Sequence, residues 1–117
     1  MHKSVKICLP FDIRLSKNNR LRSARLGFIP KEVKQIRDSF ALAIRAYAHE
    51  FRNAKALEVG LMVHKPDNRS DAQNFVDELS DIIQLALGTN DRNFRFSQVD
   101  GNVRPGNPEF EITISEI

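Results

Sequence analysis

The segment Asp67-Asn68-Arg69-Ser70-Asp71-Ala72-Gln73-Asn74 gathers oxygen-bearing side chains within a chain that is otherwise basic, and Asp77, Glu78, Asp81 and Asp91 follow it. Side chains of this kind suit a hard divalent cation. Mg²⁺ takes one or two carboxylates and fills its remaining positions with water and phosphate. Hydrolysis of a phosphodiester is commonly assisted by one or two such ions. Asp71, where an alternating pattern gives way to a helical one, and Asp91, beyond the helical stretch, are the candidate metal ligands. Helical spacing places Gln73, Asn74, Asp77 and Asp81 on the face opposite the apolar stripe, free to line a cleft.

The same residues also fit a purely structural role. Ser70-x-x-Gln73 has the form of a capping box, in which the serine caps a helix and the glutamine reaches back to it. Asp71 in a first turn would favour the positive end of the helix dipole. Asp77, Glu78 and Asp81 fit an ordinary solvated helix face, and Asp91 a loop.

Charge is distributed unevenly. Residues 1–60 hold 13 Lys/Arg against 5 Asp/Glu, whereas residues 61–117 hold 5 against 10, for a net charge of +3 overall. Eight basic residues and one acid, Glu32, lie between Arg14 and Arg37. Such a run points to a polyanion such as nucleic acid, or else to a solvated loop and helix face. Arg14, Lys17, Arg20, Arg22, Arg25 and Arg69 are the candidate phosphate contacts, which position a nucleic acid without reading its sequence. Phe28 can stack on bases or pack on the following helix, and packing is the expectation.

Other chemistry is not marked. His2, His49 and His64 show no metal-ligand spacing with each other or with Cys8. His64 falls on the polar-alternate side of a strand and reads as a surface residue or one supporting a site. No glycine-rich phosphate loop is present, and no Ser/His/Asp arrangement stands out.

The elements that must position these residues are legible from periodicity. Val5, Ile7 and Leu9 alternate over Ser4 to Leu9, and Pro10 should end that strand. Residues 12–28 are polar, basic and without period, and read as a long loop. From Pro30, residues Val33, Ile36, Phe40, Ile44, Tyr47 and Phe51 recur at helical spacing. Leu57, Val59, Leu61 and Val63 form a second strand, closed by Pro66. A second helix is expected from Ser70 to Leu87, with Val76, Leu79, Ile83 and Ala86 as its stripe, Phe75 and Ile82 at its flanks and Gly88 as its C-terminal cap. Residues 94–103 read weakly as a strand, 104–108 as a turn, and Phe110, Ile112 and Ile114 as a clear final strand.

The order β-α-β-α-β-β implies a single α+β domain over residues 1–117, a small mixed sheet covered by two helices. A length of 117 residues suits one core. One cysteine allows no intrachain disulfide and fits a reducing, cytoplasmic setting. Lys3 and Lys6 interrupt any signal-like apolar run, and no stretch has the length of a membrane span.

Taken in order, these motifs resemble the RusA-type Holliday-junction resolvases, small dimeric endonucleases often carried by phages and prophages. Leu9-Pro10 followed by Leu15-Ser16-Lys17-Asn18-Asn19-Arg20 is similar to the family's Pro-rich Ser-Asn-Asn-Arg segment. Pro66 to Asn74 is similar to its Pro-Asp, basic run and Asp-x-Asp-Asn motif. Asp81 and Asn90-Asp91 fall on later acidic positions, and residues 111–116 on its last strand. The resemblance implies an Mg²⁺-dependent endonuclease acting on four-way DNA junctions in recombination or repair. It also implies a homodimer whose two-fold symmetry matches paired incisions. Asp71 matches the first metal aspartate, Asp91 the third and Asn74 the motif asparagine. Gln73 stands where the family has its second aspartate, and Asp77 where it has a lysine. Gln73 and Asp77 would then complete the catalytic site in altered form, the carboxylate moved one helical turn along the same face. The alternative implied by those departures is a protein that binds junctions without cutting them.

Overall fold

The computed structural model describes residues 3–88 and 93–117, so Asp91, Asn90 and His2 lie outside the described residues. Four strands form one mixed sheet: β1 (Ser4–Pro10), β2 (Ala56–Lys65), β3 (Asn93–Val103) and β4 (Glu109–Glu116). Their spatial order is β1-β4-β2-β3. β4 runs antiparallel to both β1 and β2, whereas β2 and β3 are parallel. The fold is α+β, as expected.

Alternation along the strands divides the sheet into two faces. Ile7, Leu9, Leu57, Val59, Leu61, Val63, Phe110, Ile112 and Ile114 are buried on the face beneath the helices. Their polar alternates point to the other face. Pro10 does not stop β1 before its own position: it pairs with Glu109 as the last residue of an edge strand, where a missing N–H is tolerated.

The stretch 12–28 is not a loop. A 3₁₀ turn over Ile13–Leu15 leads into helix α1 (Lys17–Leu26). Ser16 caps α1, accepting the Asn19 backbone N–H at 3.4 Å, and Gly27 ends it in the left-handed conformation at φ 77°. No residue of α1 is buried, so its sequence lacks the apolar period by which helices are recognised.

Helix α2 (Lys31–Arg45) is shorter than expected. The chain tightens after it into a 3₁₀ turn over Ala48–Phe51, which leaves Tyr47 exposed while Phe51 is buried. Helix α3 (Val76–Leu87) begins later than Ser70, being preceded by a 3₁₀ turn over Ala72–Phe75. Gly88 caps it at φ 63°. Leu79, Ile82, Ile83 and Ala86 are buried as expected. Among the described residues, no helix is long and apolar enough to cross a membrane.

Candidate functional site

The acidic segment lies where β2 leaves the sheet. Phe75, fully buried, anchors the turn that carries Asp71 to Asn74; its ring meets Phe11 at 5.3 Å and Phe110 at 5.2 Å between centroids. Gly101 on β3 lets that turn lie directly on the sheet, since a Cβ there would come within 3.2 Å of the Ala72 Cβ. Lys65, the last residue of β2, donates from Nζ to the Ser70 carbonyl at 2.8 Å. These contacts fix the backbone on both sides of Asp71.

The expected capping box is absent. Asp71, not Ser70, occupies the cap position of the 3₁₀ turn, and its side chain makes no capping hydrogen bond. The Asp71 carbonyl accepts the Asn74 N–H instead, and α3 proper starts only at Val76. Asp77 and Glu78 are the acids of that helix's first turn. Gln73 therefore has no capping task.

Asp71, Gln73 and Asp77 are all exposed, and their side chains make no hydrogen bond or ion pair among the described residues. Asp71 and Asp77 bring charge, and Gln73 brings a neutral carbonyl oxygen. The donors are all oxygen and free of competing partners, which fits a hard divalent cation in type. Asp71, Gln73 and Asp77 are the residues that would hold it.

Glu78 departs from expectation. It is not part of a solvated face but 4% exposed, between α1 and α2. Arg20 Nη1 donates to Glu78 Oε2 at 2.9 Å and to Asp81 Oδ2 at 2.7 Å. Arg37 Nε lies 2.7 Å from Glu78 Oε1, an ion pair not aligned as a hydrogen bond. The hydrogen bond it donates to Asp81 is the main reason Arg20 holds its proton more tightly than usual; burial opposes it and Glu78 adds to it. Arg20 and Asp81 are thus occupied with each other. They border a cleft of about 350 Å³ among the three helices, which Phe28 also lines while 61% exposed rather than packed. A glutamate buried at one position of an acidic run, with two arginine partners distant in sequence, left no local signal.

Arg14 and Arg69 meet at one cleft although 55 positions separate them in the chain. Each folds back on the aspartate two residues before it. Arg14 donates to Asp12 from its backbone N (2.9 Å) and from Nε and Nη2 (both 3.0 Å). Arg69 does the same to Asp67, at 2.9, 2.9 and 2.6 Å. The cleft they share has a volume of about 630 Å³ and is walled by Phe11, Ile13, Pro66 and Ser70, the last being the neighbour of Asp71 in the chain. Lys17, Arg22 and Arg25 stand exposed on α1, which packs against both α3 and the turn Ala72–Phe75.

No protein-family model matches the chain, nor does any curated protein.

Proposed function

We propose that the protein is a RusA-like, Mg²⁺-dependent endonuclease that resolves four-way DNA junctions as a homodimer. The observation that carries this reading is the placement of Asp71, Gln73 and Asp77. Asp71 and Gln73 stand on a turn tied to the sheet and Asp77 follows in the first turn of α3; Ser70, the neighbour of Asp71 in the chain, lines the cleft holding Arg14 and Arg69, and α1, bearing Lys17, Arg22 and Arg25, packs against the turn. Cations of that kind take up phosphates, and carboxylates beside them would hold the ion that assists the cut.

Bound Mg²⁺ would supply charge neutralisation and activation of water for phosphodiester hydrolysis. Asp71 and Asp77 contribute the negative charge that retains the ion, and Gln73 an oxygen without charge. Lys65, tied to the Ser70 carbonyl, sets the backbone that presents Asp71. Lys17, Arg22 and Arg25 hold the DNA backbone, and the paired Arg14 and Arg69 can exchange an aspartate for a phosphate oxygen. A second reading, junction binding without cleavage, is favoured by Gln73, a neutral residue where a third carboxylate would strengthen ion binding, together with Asp77 where the resemblance implies a lysine.

A labelled four-way junction and a linear duplex, each incubated with the protein with and without Mg²⁺, test both. Symmetric Mg²⁺-dependent nicking of the junction alone is the expected result. Tight junction binding with no nicking at any Mg²⁺ concentration supports the second reading. Equal affinity for junction and duplex overturns both and leaves a general nucleic-acid binder.

A further inference from the structure

The face of the sheet turned away from the helices gathers residues whose linear spacing shows no relation. Register pairs Cys8 with Glu111 across β1 and β4, and His64 with Glu109 across β2 and β4. All four side chains therefore share that face. One ligand atom each from Cys8, Glu109 and Glu111 lies within 4.8 Å of the others.

His64 is an independent indication that the cluster is a site. It is 7% exposed, and its Nδ1 lies 2.7 Å from Asn102 Oδ1. An amide oxygen only accepts, so Nδ1 carries a hydrogen, and in the neutral ring the lone pair is on Nε2. That buried Nε2 has no hydrogen-bond partner among the described residues and lies 4.0 Å from Glu111 Oε1 of the cluster. A lone pair facing a carboxylate is unfavourable, and either a proton on Nε2 or a metal ion between the two relieves it. A ring nitrogen fixed from behind by a hydrogen bond at the other nitrogen is how proteins present histidine to metals.

We propose that Cys8, His64, Glu109 and Glu111 form a binding site for a zinc-class divalent cation on the open face of the sheet. A thiolate, an imidazole and two carboxylates make a mixed S/N/O set that suits tetrahedral Zn²⁺ and not Mg²⁺, which prefers oxygen alone. Tetrahedral ligands at about 2.0–2.3 Å from an ion stand closer together than 4.8 Å, so the side chains would draw in around it. Two cations compete for the carboxylates: Lys6 Nζ is 2.8 Å from Glu111 Oε1, and Arg104 Nη2 is 2.7 Å from Glu109 Oε1. Both are long and partly exposed, and both can turn to water when an ion enters. The site would tie edge strand β1 to β4 and β2. It is separate from the oxygen donors around Asp71 and does not depend on the nuclease reading.

The test uses the full chain, stripped with a chelator and titrated with Co²⁺ as a spectroscopic substitute for Zn²⁺. Expected are the visible bands of a tetrahedral ion and a thiolate-to-Co²⁺ charge-transfer band, both saturating at one ion per chain and displaced by Zn²⁺ but not by Mg²⁺. Cys8→Ser should abolish the charge-transfer band, and His64→Gln should weaken binding by about tenfold or more. Lys6→Met should tighten it, because a competing cation is gone. Asp71→Asn should leave all of these signals in place. Zn²⁺ should raise the melting temperature of the parent chain but not of Cys8→Ser, whose exposed position tolerates the change. Absence of stoichiometric Co²⁺ binding overturns the proposal, as does binding that persists unchanged in both Cys8→Ser and His64→Gln. An Nε2 proton on His64 at neutral pH, seen by nitrogen NMR with Zn²⁺ present, also overturns it.

Discussion

Glu78 on α3 is buried beneath Arg20 of α1, 2.9 Å from its guanidinium, and this bond attaches a helix that buries no residue of its own. Loss of one partner from a fully buried pair costs about 3–5 kcal/mol; because Arg20 and Arg37 remain partly exposed and can turn to water, Glu78→Gln should cost less, about 1–2 kcal/mol. A fall in melting temperature on the order of 5–10 °C would register it. Arg20→Ala should destabilise the whole less but release α1 locally, so limited proteolysis should cut within residues 17–26 faster than in the parent chain. Unchanged cleavage there would show that α1 is held by something other than this pair.

Gly101 sets how closely the Asp71 turn approaches the sheet. A Cβ at this position would meet the Ala72 Cβ at 3.2 Å, tighter than an ordinary contact. Valine normally suits a strand better than glycine. Gly101→Val should nevertheless lower stability, by about 1–2 kcal/mol for the displaced turn. Ala72→Gly in the same chain should recover most of the loss. Thermal unfolding of the two single variants and the double variant measures this, and additive losses would rule the contact out.

The strands and two of the helices were legible because their cores are one-sided. Val59, Leu61 and Val63 alternate, and Leu79, Ile83 and Ala86 recur at helical spacing. β3 reads weakly for a definite reason. Val59 pairs with Phe96 but Gly60 with Gln98, so a bulge at Ser97 shifts the inward positions from Phe94 and Phe96 to Val99 and Gly101. α1 was missed because no apolar period marks a helix held by a serine cap, a glycine cap and an ion pair. The position of Asp71 was readable from the strand-to-helix change. The buried role of Glu78, the meeting of Arg14 with Arg69 and the grouping of Cys8 with His64 were not, since each depends on long-range register or packing.

Asp12 gives the chain a response to acid. Burial pulls its carboxyl up, but the side-chain and backbone hydrogen bonds of Arg14, with its charge, outweigh this and hold it below the usual carboxylate range. A folded value below the unfolded one (about 3.9) means the contribution is complete above that value and is lost as pH falls through the folded value. Melting temperature should therefore drop on acidification below about pH 4, and less so in Asp12→Asn. Carboxyl NMR titration of Asp12 gives the folded value directly, and a midpoint at or above the unfolded one would contradict the assignment.

Lys17, Arg22 and Arg25 should behave as phosphate contacts if α1 lies on DNA. Each neutralised phosphate contributes about 0.9 to the slope of log affinity against log salt. Arg22→Ala and Arg25→Ala should each flatten that slope by about this amount for junction binding, and weaken binding to all junction sequences alike. Binding isotherms at several salt concentrations measure it. A slope unchanged in the double variant would place DNA elsewhere on the protein.

The altered residue of the acidic segment yields a prediction in the direction of gain. Asp71, Gln73 and Asp77 are exposed oxygen donors whose side chains have no partner among the described residues, and the capping role that would have explained Gln73 is absent. Adding charge at that position should therefore strengthen ion binding without removing a structural bond. Gln73→Asp should raise junction cleavage at limiting Mg²⁺ by about tenfold, and the Mg²⁺ concentration for half-maximal rate should fall. Asp71→Asn should reduce cleavage by about a hundredfold or more while leaving junction affinity in chelator unchanged. Asp77→Asn decides whether Asp77 stands in for the missing carboxylate. If it does, this variant loses cleavage and Gln73→Asp restores it in the same chain; if Asp77→Asn cuts as well as the parent, Asp77 is no ligand and Asp71 holds the ion without it.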